Sequence, residues 1–385
     1  MRLPRAVLTG LIATATALAL SVGSSAAADR GHARTREAMD AVVQERHAPG
    51  VLGHAEDGGG VWSGSSGTAD LRTLQPRMPQ DRFRIGSLTK PFVATVLLQL
   101  ESEGKVRLDD PVGRWLPDVP LGRYGAGIGD RSRPSRTLTV RQLLGHTSGI
   151  PNYTADPVLR RDYFSTRFLT RRWTTHTPEG LSGAALAQPP LFAPGTKWSY
   201  SNTNYLLAGM IIERATGHSY AHEIERRIVR ALKLHDTSLP GTSPRIPGQH
   251  GRAYSTLFVP KREAEVHDVT AFNPSFAGPA GEMISSTHDL VRFVRALLTG
   301  GLLPPRQLQE MKSSVAVPDG DRYGLGLTRR TLSCGVTVWG HEGTIHGSRS
   351  SAFTTEDGTH TAAFNINGDW SGDTRPLVDT EFCGT

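Results

Sequence analysis

Bulky apolar residues recur at Phe92, Val93, Val96, Leu97 and Leu100, a spacing that predicts a helix with a broad buried face. Phe83-Arg84-Ile85 reads as the end of a short strand and Gly86 turns the chain, which places Ser87 at or near the first turn of that helix. The same period predicts helices over 35–47 (Met39, Val42, Val43), 203–217 (Leu206, Leu207, Met210, Ile211) and about 220–232. It also predicts one behind a Ser286 or Thr287 cap (Leu290, Phe293, Val294, Leu297, Leu298), and Thr139 caps a shorter one. Residues 51–55 and 61–64 read as a hairpin around Gly58-Gly59-Gly60. Residues 323–327, 335–340, 349–354 and 361–366 read as further strands, followed by a last short helix at 376–382. Stretches 108–130, 150–193 and 240–280 carry no strong periodicity and read as loop.

Strands at both ends with helices between predict an α/β (α+β) architecture: one antiparallel sheet built from both chain ends, packed with helices, and a mostly helical lobe inserted between. The sheet lobe takes about 29–85 and 320–385 and the helical lobe about 86–319, within a single domain over 29–385. The 385 residues, 37% hydrophobic and 21% charged, suffice for a large core. Residues 1–28 differ: Arg2 and Arg5 precede an uncharged apolar run that ends in Ala26-Ala27-Ala28. This is the pattern of a secretory signal peptide cut near Ala28, so we expect a secreted monomer with no stable membrane anchor. Losing Arg2 and Arg5 with it lowers the formal charge from +7 to +5. The arginines are scattered, which argues against nucleic acid as a partner and leaves weak attraction to cell-wall polymers. In an oxidising compartment Cys334 and Cys383 are expected to pair.

Ser87 and Lys90 lie three apart on one helix face. A serine hydroxyl needs a base to become a nucleophile, and a lysine serves as that base when burial lowers its pKa. Ser102 and Lys105 repeat the spacing beside Gly104 at a helix end, so spacing alone selects nothing. What distinguishes Ser87 is the sequel, in order: Tyr200-Ser201-Asn202, then His341-Glu342-Gly343. With Tyr323-Gly324-Leu325-Gly326-Leu327 and Leu332-Ser333-Cys334-Gly335, these motifs resemble the penicillin-recognising serine hydrolases: class C β-lactamases, DD-peptidases and related esterases. The resemblance covers nearly the whole mature chain and is closest to secreted actinomycete D-alanyl-D-alanine carboxypeptidases. It implies an acyl-enzyme on Ser87, with Lys90 helping to take its proton. Tyr200, a phenol whose pKa Lys90 pulls down, would shuttle that proton to the leaving nitrogen. Asn202 would hold Lys90 and the substrate amide, and His341 would steady the site's charge. The N–H groups of Ser87 and of Gly347 or Ser348 would form the oxyanion hole, and Gly343 would let the strand lie close along an extended substrate. The substrates implied are small peptides or β-lactams, with peptidoglycan as the larger partner and no cofactor.

His341, Glu342 and His346 have the wrong spacing for a zinc-protease helix, so no metal ligand set is expected. His146, in Leu-Gly-His-Thr-Ser-Gly, reads as structural, and Asn152-Tyr153-Thr154 fits a glycosylation acceptor. The chain also departs from its resemblance. Thr328 stands where the carboxypeptidases carry an arginine for the substrate carboxylate, Glu342 where they carry threonine, and Phe276 where a tryptophan covers the site; Thr344 is retained. A carboxylate beside an anionic substrate terminus repels it. These departures therefore predict weakened carboxypeptidase activity, or a substrate that is neutral or carries an amine near Glu342. The alternatives are an esterase, a D-aminopeptidase, a weak β-lactamase, or a non-catalytic cell-wall or penicillin-sensing module.

Overall fold

The computed structural model describes residues 31–124, 137–259 and 264–384; the expected signal peptide at 1–28 lies outside them. The expected hairpin forms between β1 (Gly50–Asp57) and β2 (Gly60–Gly67). The strands β3 (Phe83–Arg84), β4 (Tyr254–Ser255), β5 (His267–Asp268) and β6 (Ile284–Ser285) are two residues each. Near the C-terminus follow β7 (Val315–Ala316), β8 (Arg322–Tyr323), β9 (Thr328–Thr331), β10 (Thr337–Ile345), β11 (Ser348–Thr355) and β12 (Thr361–Ile366). They join the hairpin in one antiparallel sheet of order β2-β1-β12-β11-β10-β9-β8-β7. The two chain ends thus meet where β1 pairs with β12.

Five of the helices carry the packing: α1 (Ala33–Gln44), α2 (Thr89–Ser102), α3 (Asn202–Thr216), α4 (Thr287–Leu298) and α5 (Arg375–Cys383). One sheet face is covered by α1 and α5, whose Met39, Val42, Leu377, Val378 and Phe382 pack against Val51, Trp62 and Phe364. A Cys334–Cys383 disulfide joins the turn before β10 to the end of α5. The larger core lies on the other side, where α4 rests on the sheet and Phe293 stacks on Phe92 of α2 at 3.6 Å. The Ser286 hydroxyl caps α4 by accepting from Asp289 N. Every residue from Thr89 to Leu98 is buried, so α2 runs through the interior with hardly any polar face. This burial matters most for Lys90.

Three expectations change. Residues 150–193 contain Pro157–Tyr163, Phe168–Arg171 and Pro178–Leu186 as helices. Two of them start on a side-chain cap followed by proline, Asp156-Pro157 and Thr177-Pro178, a start signal that operates in segments too short to show a period. The strand expected at 323–327 ends at Tyr323, because Gly324 N turns back to Leu327 O and Gly326 takes φ +82°. The sheet lobe also begins before residue 320, since β7 and the sheet-packed α4 belong to it.

Candidate active site

Ser87 sits in a single 3₁₀ turn, Gly86–Leu88, that feeds α2. Gly86 adopts φ +55°, and a Cβ there would lie 2.8 Å from Thr344 O. A Cβ on Gly343 would lie 1.9 Å from Ile85 O. The two glycines therefore let the serine turn press backbone-to-backbone against β10. This corrects the expected role of Gly343: its missing Cβ accommodates the chain's own Ile85. Side chains from β11 fix the contact, with Ser348 Oγ donating to Arg84 O at 2.7 Å and Ser350 Oγ to Ile85 O at 3.2 Å.

The oxyanion donors expected at Gly347 and Ser348 are displaced. Gly347 N donates to the Asp369 carboxylate at 2.9 Å, and Ser348 closes the β10–β11 turn opposite Ile345. In an antiparallel ladder, alternate residues bond to alternate neighbours. With Ile345, Gly343 and His341 turned to β11, Thr344 points its N–H to the edge that β9 leaves uncovered beyond Gly340. That edge faces Gly86. The N–H of Ser87, at a helix start where the first donors lack intrahelical acceptors, and that of Thr344 thus bracket the position above the serine.

Lys90 Nζ lies 2.6 Å from Ala280 O, 2.8 Å from Asn202 Oδ1 and 3.0 Å from Ser87 Oγ. Burial lowers its pKa well below the usual lysine value. A neutral amine has two N–H donors and one lone pair. Both donors are claimed by the acceptor-only oxygens of Asn202 and Ala280, so the lone pair is left for the Ser87 hydroxyl proton. Asn202 is positioned by the start of α3, where its N–H donates to Asn152 Oδ1 at 3.2 Å; Asn152, the expected glycosylation acceptor, is engaged in capping. The Tyr200 ring lies 4.9 Å from Lys90 Nζ. Burial raises the Tyr200 phenol above its ordinary value, opposed by its hydrogen bond to Ser87. The expected lowering by Lys90 does not arise: burial raises the phenol, and the opposing contribution comes from Ser87.

His341 is corrected in the same way. Burial, with Lys90 as a second cause, holds its pKa down at about 3, so it contributes no charge at neutral pH. Its Nε2 pairs with the Tyr323 hydroxyl at 2.9 Å and its Nδ1 with Glu342 O. His146 holds the Tyr200 segment from beneath: Nδ1 accepts from Ser201 N and from the Asn204 amide, each at 3.2 Å. Its ring packs 4.2 Å from that of Tyr200. His346 is remote from this group, stacked on Phe168 at 3.9 Å.

A cleft of about 270 Å³ opens over Ser87, Tyr200, Thr328, His341, Glu342, Gly343 and Thr344. Phe276 does not line it. That ring is buried among Tyr163, Phe168 and Phe272, and the cleft's aromatic walls are Trp198 and Tyr323. The sequence reading also missed Asp319, Asp321, Arg330 and Arg375 on the rim. Arg330 shares a face of β9 with Thr328, so strand alternation from Thr328 could have found it; no local pattern marks the others. Glu342 Oε1 takes Arg330 Nη1 at 2.9 Å, and Arg330 grips Asp321 through Nε at 3.0 Å and Nη2 at 2.8 Å. Arg375 pairs with Asp319 at 2.6 Å. Three carboxylates thus meet two guanidiniums, and both guanidiniums are engaged.

A serine on a lysine base beneath a Tyr-x-Asn segment and a strand edge is an acyl-transfer arrangement, and comparison with known proteins agrees. Residues 35–378 match the family model described as beta-lactamase. The chain belongs to the beta-lactamase family. It is 28% identical to penicillin-binding protein 4* of Bacillus subtilis over 72% of this chain and 58% of that one, so it spans well under two thirds of that relative. Among solved structures it resembles a D-stereospecific amidohydrolase from Streptomyces sp., with 48% identity, TM-score 0.83, and 92% and 99% of the two chains covered. It also resembles a D-amino acid amidase from Ochrobactrum anthropi SV3, with 29% identity, TM-score 0.75, and 92% and 97% covered. No helix among the described residues is long and apolar enough to cross a membrane.

Proposed function

We propose that this family member is a secreted hydrolase of amides and short peptides whose D-amino acid acyl part carries a free amino group. The observation that carries this reading is the rim charge: Asp319, Asp321 and Glu342 against Arg330 and Arg375. A cationic substrate group is attracted there, whereas a terminal carboxylate would have to displace Asp321 or Glu342 from a paired arginine. The D-configuration rests on the likeness to the two D-specific enzymes. Secretion rests on the leader pattern at 1–28 and on the disulfide.

In this mechanism the Lys90 lone pair takes the Ser87 proton as Oγ attacks the amide carbonyl. The oxyanion is met by the N–H groups of Ser87 and Thr344; each such donor is typically worth about 3 kcal/mol in the transition state. The Tyr200 hydroxyl, hydrogen-bonded to Ser87, relays the proton to the departing nitrogen, and water reverses the sequence on the acyl-enzyme. The expected D-alanyl-D-alanine carboxypeptidase needs an unpaired cation beside the substrate terminus, where this chain has Thr328.

Steady-state kinetics decide between the two. D-phenylalanine amide should exceed N-acetyl-D-alanyl-D-alanine in kcat/KM by at least about 100-fold, and Glu342→Gln should lower the first by about 10-fold, the loss of one rim charge in a partly solvated site. A preference for the acylated dipeptide would restore the carboxypeptidase reading.

A further inference from the structure

Just past the C-terminus of α3, Gly217 ends the helix at φ +74° and the chain re-enters a helix at Tyr220. This corner carries His218, His222 and Glu223, one ligand atom each, all within 4.8 Å of one another. The two exposed imidazoles stack with centroids 4.8 Å apart and planes 22° from parallel. The carboxylate beside them is buried and divided in its duties. Oε2 takes Arg226 at 3.0 Å and Arg227 at 2.5 Å, while Oε1 faces His218 Nδ1 at 3.4 Å. The backbone of both histidines is anchored: His218 N donates to Thr216 Oγ1 and His222 N to Ser219 Oγ, each at 3.2 Å.

We propose that His218, His222 and Glu223 form a surface site for a divalent transition-metal ion of the zinc class, completed by water. Donors around a tetrahedral zinc at ~2.1 Å stand roughly 3.4 Å apart. The carboxylate oxygen and His218 already stand at that separation, and His222, exposed and stacked on His218, holds its ligand atom within 4.8 Å of both. Imidazole and carboxylate suit zinc, copper and nickel rather than magnesium or calcium. The guanidiniums on Oε2 do not forbid a cation. Arg227 is itself paired with Glu103, and Glu213, which accepts from Tyr220 N at 3.3 Å, adds a further carboxylate to the corner. None of the three ligands lines the Ser87 cleft, so the ion would pin α3 to the following helix rather than take part in hydrolysis.

Isothermal titration of the tag-free, EDTA-treated full protein with zinc chloride tests this. The expected result is saturable one-to-one binding in the micromolar range, weakened more than tenfold in the His218→Asn/His222→Asn double variant. Both side chains are exposed, so that variant should keep its fold and its hydrolase activity, checked by circular dichroism and turnover. No saturable binding at millimolar zinc, or undiminished binding by the double variant through scattered surface histidines, would overturn the proposal.

Discussion

In the proposed mechanism Lys90 serves as the base because of where α2 runs. A side chain that starts from a wholly buried helix turn and ends on two carbonyl-type acceptors has one direction left for its lone pair, and Ser87 stands in it. Activity should therefore fall as pH drops through the lowered Lys90 pKa, since only the neutral amine takes a proton. A pH profile of kcat/KM measures this on its acid limb. Lys90→Arg places there a permanent cation that cannot be deprotonated, and we expect at least a 1,000-fold loss in kcat, a loss of the size seen when a catalytic pair is broken, together with a lower melting temperature from the larger buried charge. Retained turnover in that variant would mean that charge, not basicity, is what Lys90 supplies. At this scale the site is largely legible in the sequence. Ser87, Lys90, Tyr200, Asn202 and His341 each belong to a short motif, and the fold brings all five together. Protonation states are not legible, because they depend on burial by residues far away in the chain. The carboxylates at 319 and 321 and the guanidinium at 375 belong to no motif, and become neighbours only because Arg375, at the start of α5, reaches the segment that leads into β8.

Between elements, β10 presses backbone-to-backbone against the Ser87 turn. Gly343→Ala would put a methyl within 1.9 Å of Ile85 O, and neither backbone can move without shifting the nucleophile. We expect a loss of about 3 kcal/mol or more with near-complete loss of turnover, read from denaturation and kinetics together. A second test lies just before β6. Glu282 is buried, its carboxyl held by the Tyr220 hydroxyl at 2.5 Å, and burial raises its pKa from 4.5 to about 7 despite Arg84 and the Gly241 backbone. Since the folded state binds this proton more tightly than the unfolded chain, its contribution is full below about pH 4.5 and is lost as pH rises through 7. The protein should lose up to about 3 kcal/mol of stability over that range, and Glu282→Gln should flatten the dependence in urea melts. The helices α1 to α4 are legible from their periods, and β1, β11 and β12 from their flanking turns; the capped helices of 150–193, seven and nine residues long, are not, because they are too short to establish a period.

At the scale of the whole molecule, both chain ends are needed to finish one sheet, and the Cys334–Cys383 bridge fastens the later end. A separation of 49 residues gives a chain-entropy stabilisation of about 4 kcal/mol. Reduction or Cys383→Ser should therefore lower the melting temperature by several degrees while sparing the Ser87 cleft, which α5 borders only through Arg375. The turn residues that flank β1 and β12 make these strands predictable, though both are buried along nearly their whole length, but the sheet's edge at β7 and β8 is made of two-residue strands that no pattern announces. The most direct test of the central claim is intact-mass spectrometry of the mature protein, acid-quenched during turnover of a D-phenylalanine ester. A single acyl adduct that maps to the peptide containing Ser87, and is absent from Ser87→Ala, is the predicted result. Turnover without any adduct, or an adduct that persists in Ser87→Ala, would contradict the account.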